Sequence, residues 1–308
     1  MAKITGTDSN EILEGTRFSD DISGLGGDDL IIATQGNDTI NGGDENDAEN
    51  DTVDYGSLDT PITLERAGRI DKGIEGTDQI IEVETIIGNE NQVNSIDGST
   101  GTSGQTSFNA RLDREELTVF NIPELGDLDF EIENFTNVIG TNNSDTIVGN
   151  DDNNEIIGGP GDDSLRGARG DDLLRGRTGN DIVKGNKGND SLFGGSDDDL
   201  LIGASGNDDL SGNRGNDTLQ GDSGVDSLKG ASGADDFLFE TFSSEVDIIR
   251  DFDDGEGDKI VIGFTNDINS FSENEATGEI LFNGVAFARV DANQGQDFFI
   301  PQDDIDFV

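Results

Sequence analysis

The chain has no Cys and no His, so any metal or acid–base chemistry in it must rest on oxygen. Its 68 acidic residues are not scattered, because many of them keep a fixed spacing. From Gly140 the sequence reads GTNNSDTIV, GNDDNNEII, GGPGDDSLR, GARGDDLLR, GRTGNDIVK, GNKGNDSLF, GGSDDDLLI, GASGNDDLS, GNRGNDTLQ, GDSGVDSLK and GASGADDFL. Every block opens with Gly, and every eighth residue is apolar, from Ile147 to Phe237. The sixth residue is Asp in all blocks except the one with Asn154. If successive turns stack about 4.8 Å apart, each Asp carboxylate meets its neighbours and a set of free backbone carbonyls. That cage of hard oxygens suits Ca²⁺, which takes about six to eight oxygen ligands. Zinc, copper and haem-type iron sites would lack their usual nitrogen or sulfur ligands.

The elements that must hold those carboxylates follow from the period. A strand of about three residues points one side chain inward, and the apolar eighth residue fills that role. The other six residues must turn the chain back. Gly at the first and fourth positions is expected to supply positive φ for this turn. A single such block would read as an Asx turn on a solvated loop or as a disordered acidic segment. Eleven blocks in phase, with the apolar position unbroken, favour a stacked solenoid.

The pattern G-G-x-G-x-D-x-U-x resembles the RTX, or haemolysin-type calcium-binding, repeat. The resemblance implies an all-β fold: a right-handed parallel β-roll, or β-solenoid, with two nonapeptides per coil and a carboxy-terminal β cap. It implies sites between each block and the next but one. One side would then pair Asp145, Asp163, Asp181, Asp199, Asp217 and Asp235. The other would pair Asn154, Asp172, Asp190, Asp208 and Asp226. The glycines expected to frame the sites are Gly158, Gly161, Gly167, Gly170, Gly176, Gly179, Gly185, Gly188, Gly203, Gly206, Gly212, Gly215, Gly221 and Gly224. Asn154 lowers the charge of the first site on its side. Asn143, Asp152 and Asp197 stand where the fourth-position Gly is expected, so the turn Ser196-Asp197-Asp198 should be strained or re-formed.

A shorter, rougher array precedes this one: GTDSNEILE, GTRFSDDIS, GLGGDDLII, ATQGNDTIN and GGDEND from Gly6. Its candidate ligands are Asp20, Asp29, Asp38 and Asp47, with Glu11 in the first block. Two or three ions are expected here, at the Asp29–Asp47 and Asp20–Asp38 pairings, and about twelve in the whole chain. The sequence thus divides into a short roll over 1–50, a wider coil over 51–139, a long roll over 140–238, and a carboxy-terminal cap with a secretion signal over 239–308. In the second part IEVETIIGN (81–89) resembles IENFTNVIGT (132–141), which reads as an internal duplication. A small β-sandwich is the alternative for that part. Strands are expected over 52–55, 61–64, 79–87, 106–112, 117–122 and 128–132. In the last part EILFNGVAFARV (279–290) predicts a hairpin on Asn283-Gly284. Phe237, Phe239, Phe252, Phe264, Phe282, Phe287, Phe298 and Phe299 give this end an aromatic core.

Composition bounds the function. A formal net charge of −50 repels itself, and about twelve divalent ions would reduce it to about −26. Folding and calcium binding would then be one equilibrium. Nucleic acid is excluded as a partner, because its phosphates would be repelled. No stretch is apolar and long enough to span a bilayer. MAKITGTDSN lacks the apolar core of a cleavable secretory peptide. The resemblance implies export by type I secretion machinery, and the ending Ile305-Asp306-Phe307-Val308 resembles the acidic-then-apolar termini of that group. The expectation is a secreted or cell-surface protein, not an enzyme, with no catalytic residue and a structural role. Anionic polysaccharide or a cell surface is the candidate partner. Arg166, Arg175, Lys184 and Lys229 recur at the ninth position as charge dilution on a solvated face. The alternative is a polysaccharide-active enzyme with its site in 51–139. Carboxylate pairs suffice for glycosidase chemistry, but Tyr55 reads as a packed strand residue.

Overall fold

The computed structural model describes residues 1–43, 50–65, 68–81, 83–99, 107–122, 126–242, 245–263, 271–274, 277–290 and 305–307. It divides into two compact units, Met1–Asn142 and Asn143–Val308. The described residues are all β apart from one 3-10 turn, Gly73–Glu75.

In the second unit each nonapeptide contributes one strand, six residues long in every block from Glu155–Pro160 to Ser227–Ser232, and alternate blocks stack in parallel. On one face Glu155–Pro160, Leu173–Thr178, Ser191–Ser196, Asp209–Arg214 and Ser227–Ser232 pair in order. On the other Thr146–Val148, Ser164–Arg169, Ile182–Lys187, Leu200–Ser205, Thr218–Ser223 and Asp236–Phe239 do the same. The register shifts by eighteen residues per coil, so Leu165 lies on Val183 and Leu174 on Leu192. A parallel β-solenoid of two blocks per coil results. Its core is a double ladder of one apolar residue per block, and Ile147, Ile156, Leu174, Val183, Leu192, Leu201, Leu210, Leu219, Leu228 and Phe237 are wholly buried.

The same stacks continue into the carboxy-terminal segment. Asp247–Ile249 pairs with Ser227–Ser232 and with Val285–Val290, all in parallel. Lys259–Ile262 pairs with Asp236–Phe239 and with Ile305–Phe307. Glu279–Phe282 and Val285–Val290 form the expected hairpin, with Asn283 and Gly284 both at positive φ. Phe239 meets Phe287 edge-on at 5.2 Å, and Phe242, Phe271 and Phe282 complete the cluster. Phe264, Phe298 and Phe299 lie outside the described residues.

The first unit is a solenoid with excursions. Lys3–Thr5, Asp21–Leu25, Thr39–Gly43 and Thr77–Ile81 form one parallel stack. Ile12–Glu14, Leu30–Ile32, Thr52–Asp54, Thr85–Ile87 and Gly126–Glu133 form another. Antiparallel hairpins interrupt the coils at Thr63–Glu65 with Arg69–Asp71, and at Ser107–Arg111 with Glu116–Ile122. The expected single strand over 79–87 is two strands separated by a corner at 83–84. The two similar segments do not stack copy on copy. Ile86 pairs with Ile132, whereas Val138 in the second segment pairs with Ile96.

Candidate metal-binding ladder

The sixth-position Asp residues form a ladder through the second unit, each within 3 % of complete burial. Every amide on it donates to a carboxylate oxygen one coil onward. Asp145 N–H reaches Asp163 Oδ1 at 2.8 Å, and Asp163 reaches Asp181, Asp181 reaches Asp199, and Asp199 reaches Asp217. On the opposite face Asn154, Asp172, Asp190 and Asp208 donate to Asp172, Asp190, Asp208 and Asp226. The Asp carbonyls are also used: Asp163 O accepts from Ile182 N–H at 2.8 Å, and Asp172 O from Ser191 N–H at 2.8 Å.

The second carboxylate oxygen is different. Oδ2 of Asp163, Asp172, Asp181, Asp190, Asp199, Asp208, Asp217, Asp226 and Asp235 is buried without a hydrogen-bond partner. An unsatisfied buried charge is costly, and the cost is visible in the acidities. Burial pushes Asp163 and Asp199 up to about 8, and Asp172 and Asp208 up to about 7. It pushes Asp181, Asp190, Asp217 and Asp235 up to about 6. Each bound amide pulls the other way, without cancelling the burial.

These orphaned oxygens are what a Ca²⁺ ion would satisfy. Calcium would supply fixed positive charge at each buried carboxylate and remove the cost of keeping it ionised. Among the described residues no three carboxylates converge on one point. A site here must therefore combine one or two Asp with backbone oxygens, as the Gly-rich turns allow.

The glycines divide into two roles, which corrects the expectation that both adopt positive φ. The first-position residues Gly158, Gly167, Gly176, Gly185, Gly203, Gly212 and Gly221 are not left-handed. A side chain on any of them would collide with Oδ2 of the same block's Asp. Their absent side chains leave the space beside the orphaned oxygen. The fourth-position residues Gly161, Gly170, Gly179, Gly188, Gly206, Gly215 and Gly224 do take positive φ, between 101° and 137°. The remaining positive φ falls at the second position, on Ala168, Arg177, Asn186, Ala204, Asn213, Asp222 and Ala231. At the irregular block Asp197 adopts φ 81°, so the turn is kept with a strained residue and is not re-formed. Asp199 keeps both of its ladder bonds there.

Several ladder residues are not evident from the repeat alone. Asp226 and Asp235 donate to Asp247 and Asp258 of the carboxy-terminal segment, at 2.9 and 3.0 Å. In the first unit Asp20 donates to Asp38, and Asp38 to Asp78. Asp29 donates to Asp51, and Asp51 to Glu84. Asp51 takes the place expected for Asp47, which lies outside the described residues. Asp78 was legible, since GIEGTDQII over 73–81 fits the repeat, but it stands alone between irregular stretches. A second, exposed ladder at the fifth position runs the opposite way. The backbone N–H groups of Asn180, Asn189, Asp198, Asn207 and Asn216 donate to the side-chain oxygens of Asp162, Asp171, Asn180, Asn189 and Asp198, one coil earlier.

In the first unit several carboxylates are partnered from within, although Asp78 Oδ2 is buried without a hydrogen-bond partner. Thr16 donates both N–H and Oγ–H to Asp20 Oδ2, at 2.6 and 2.7 Å, and holds that carboxyl below its usual range. Thr7 donates its N–H to Glu11 Oε2 and its Oγ–H to Glu11 Oε1. Lys72, wholly buried, pairs with Asp38 and Asp78. Tyr55 is also wholly buried, with burial and then Asp78 raising its pKa well above the usual tyrosine value, which fits a packed residue. On the second unit's surface Arg175 pairs with Glu155 at 2.8 Å and lies over Phe193.

Comparison with known proteins places family matches on both arrays. The family described as RTX calcium-binding nonapeptide repeat (4 copies) matches residues 5–40, 23–48, 139–174, 166–201, 175–210 and 202–237. No curated protein sequence matches the chain. Among solved structures, the extracellular lipase LipA from Serratia marcescens is similar over 99% of this chain at 16% identity, with a TM-score of 0.25. This chain spans 40% of the length of that lipase chain.

Proposed function

We propose that this chain, which carries RTX calcium-binding nonapeptide repeats over 5–48 and 139–237, is an extracellular protein that folds on binding several Ca²⁺ ions and then serves a structural or surface-associated role. The observation that carries the reading is the set of nine buried, unpartnered Asp Oδ2 atoms in the second unit. Inside a cell, where calcium is scarce, those carboxylates would keep the roll loose. Outside, where it is abundant, they would close it into a stiff rod. One ion for each orphaned oxygen gives about nine for the long array, and about nine would bring the formal charge from −50 to about −32. The paired carboxylates of the first unit add fewer ions than the sequence suggests. The carboxy-terminal segment, which supplies the last ladder acceptors and covers the sheet ends, acts as the cap.

Far-UV circular dichroism during calcium titration of EDTA-treated protein tests this. The expected result is a cooperative gain of β-structure between micromolar and millimolar calcium. Magnesium should not reproduce it, because it demands a tight octahedral shell. Protein that is fully folded in EDTA and indifferent to calcium would remove the reading.

A further inference from the structure

We propose that Lys72 is a built-in cation that takes the place of a metal ion on the Asp38–Asp78 rung of the first unit. In the long array the second oxygen of nine ladder Asp residues, from Asp163 to Asp235, has no hydrogen-bond partner. At Asp38 that oxygen faces the Lys72 ammonium, 3.4 Å away. The same nitrogen lies 2.5 Å from Asp78 Oδ1 and donates to the Thr34 carbonyl at 2.5 Å. Two carboxylates and a backbone carbonyl surround it, an all-oxygen set of the kind a hard cation would use. Lys72 is 0% exposed, so its charge is compensated only by these groups.

The chain's path explains how a lysine arrives there. Residues 73–81, GIEGTDQII, form a further block: Gly76 has φ 118°, Asp78 is sixth and the buried Ile80 is eighth. Gly36 N–H donates to Glu75 O at 2.8 Å, as Gly161 N–H donates to Thr178 O in the long array. The block therefore stacks as the next coil on residues 33–41. Yet Asp78 follows Asp38 by 40 residues, where a regular coil needs 18. The surplus returns through the antiparallel strands Thr63–Glu65 and Arg69–Asp71, which end one residue before Lys72. Lys72 N–H donates to Gly76 O, and Thr60 Oγ–H donates to Lys72 O, so the backbone beneath the ammonium is fixed. Tyr55, 0% exposed, is close enough to Asp38 and Asp78 to feel both charges.

A rung with its own cation holds without calcium. Tyr55 is the only tyrosine and the chain has no Trp, so intrinsic fluorescence reports this rung alone. The inference rests on the calcium reading of the ladder, and the two fail differently. Far-UV circular dichroism of the whole chain tests that reading, and Tyr55 emission tests this one. In the full-length protein, Tyr55 emission should be the same in EDTA and in millimolar calcium while the far-UV signal changes. In Lys72→Ala, Tyr55 emission should become calcium-dependent, and the protein should bind one more Ca²⁺ per chain. Wild-type Tyr55 emission that falls with the far-UV signal in EDTA overturns the proposal. So does a Lys72→Ala protein whose Tyr55 ignores calcium. A variant that calcium cannot restore also overturns it, because the rung would then need the lysine itself and not a cation.

Discussion

Each long-array rung sets a buried Asp carboxylate beside a glycine that has no room for a side chain. Gly185 shows this most plainly, because its φ is ordinary and alanine would suit its backbone. The obstacle is Asp190 Oδ2, which a β-carbon at 185 would meet. Gly185→Ala is therefore an overpacking change confined to one candidate site, with an expected cost of about 1–3 kcal/mol. Titrating the variant with calcium should show a higher midpoint and one fewer ion bound. An unchanged midpoint would mean that the space beside Asp190 serves no ligand. The sequence shows which residues recur, but not why. The two glycines of a block look alike on paper, and only the backbone angles separate the one that turns from the one that leaves space. Lys72 was not legible at all, since its partners lie 34 residues upstream and six downstream.

At the scale of the element, the nine-residue period translated almost directly into strands, because one apolar residue in nine can bury itself in only one way on a stacked coil. The irregular stretch was less legible. Its strands at Arg69–Asp71, Asn94–Asp97 and Phe135–Ile139 carry no period, and the last two pair with each other across a long stretch of chain. The ladder also predicts how a roll without calcium responds to acid. Its carboxyls ionise at about 6 to 8 when folded, against an ordinary 3.8. The folded state then binds more protons than the unfolded one across that window. The resulting stabilisation is complete below the ordinary value and disappears as the pH rises through the folded ones. In EDTA, circular dichroism should show more β-structure at pH 5 than at pH 8. In millimolar calcium the preference should vanish or reverse, since protons and calcium compete for the same oxygens. A calcium-free roll insensitive to pH would show that those carboxyls are not buried in solution.

For the whole molecule, the formal charge of −50 dominates. Repulsion between exposed carboxylates is screened within about 3 Å at 1 M salt, whereas the buried ladder is not. Sodium chloride at 1 M should therefore contract the EDTA-treated chain, as hydrodynamic radius would show, without restoring the β-signal that calcium restores. If salt alone rebuilt the roll, general charge would matter and the ladder would not.

The ladder has a direction. Each inner rung takes its donor from the earlier coil and its acceptor from the later one, and the last two acceptors are Asp247 and Asp258. An amide at Asp226 or Asp235 thus waits for residues that a ribosome makes afterwards. A chain released from its amino-terminal end would close each rung only when the next coil, 18 residues onward, had followed, and its last two only with the final acceptors. One that emerged carboxy-terminus first would meet each acceptor before its donor. The order in which the two ends become free thus decides whether, at each coil, an amide waits for its carboxylate or a carboxylate for its amide.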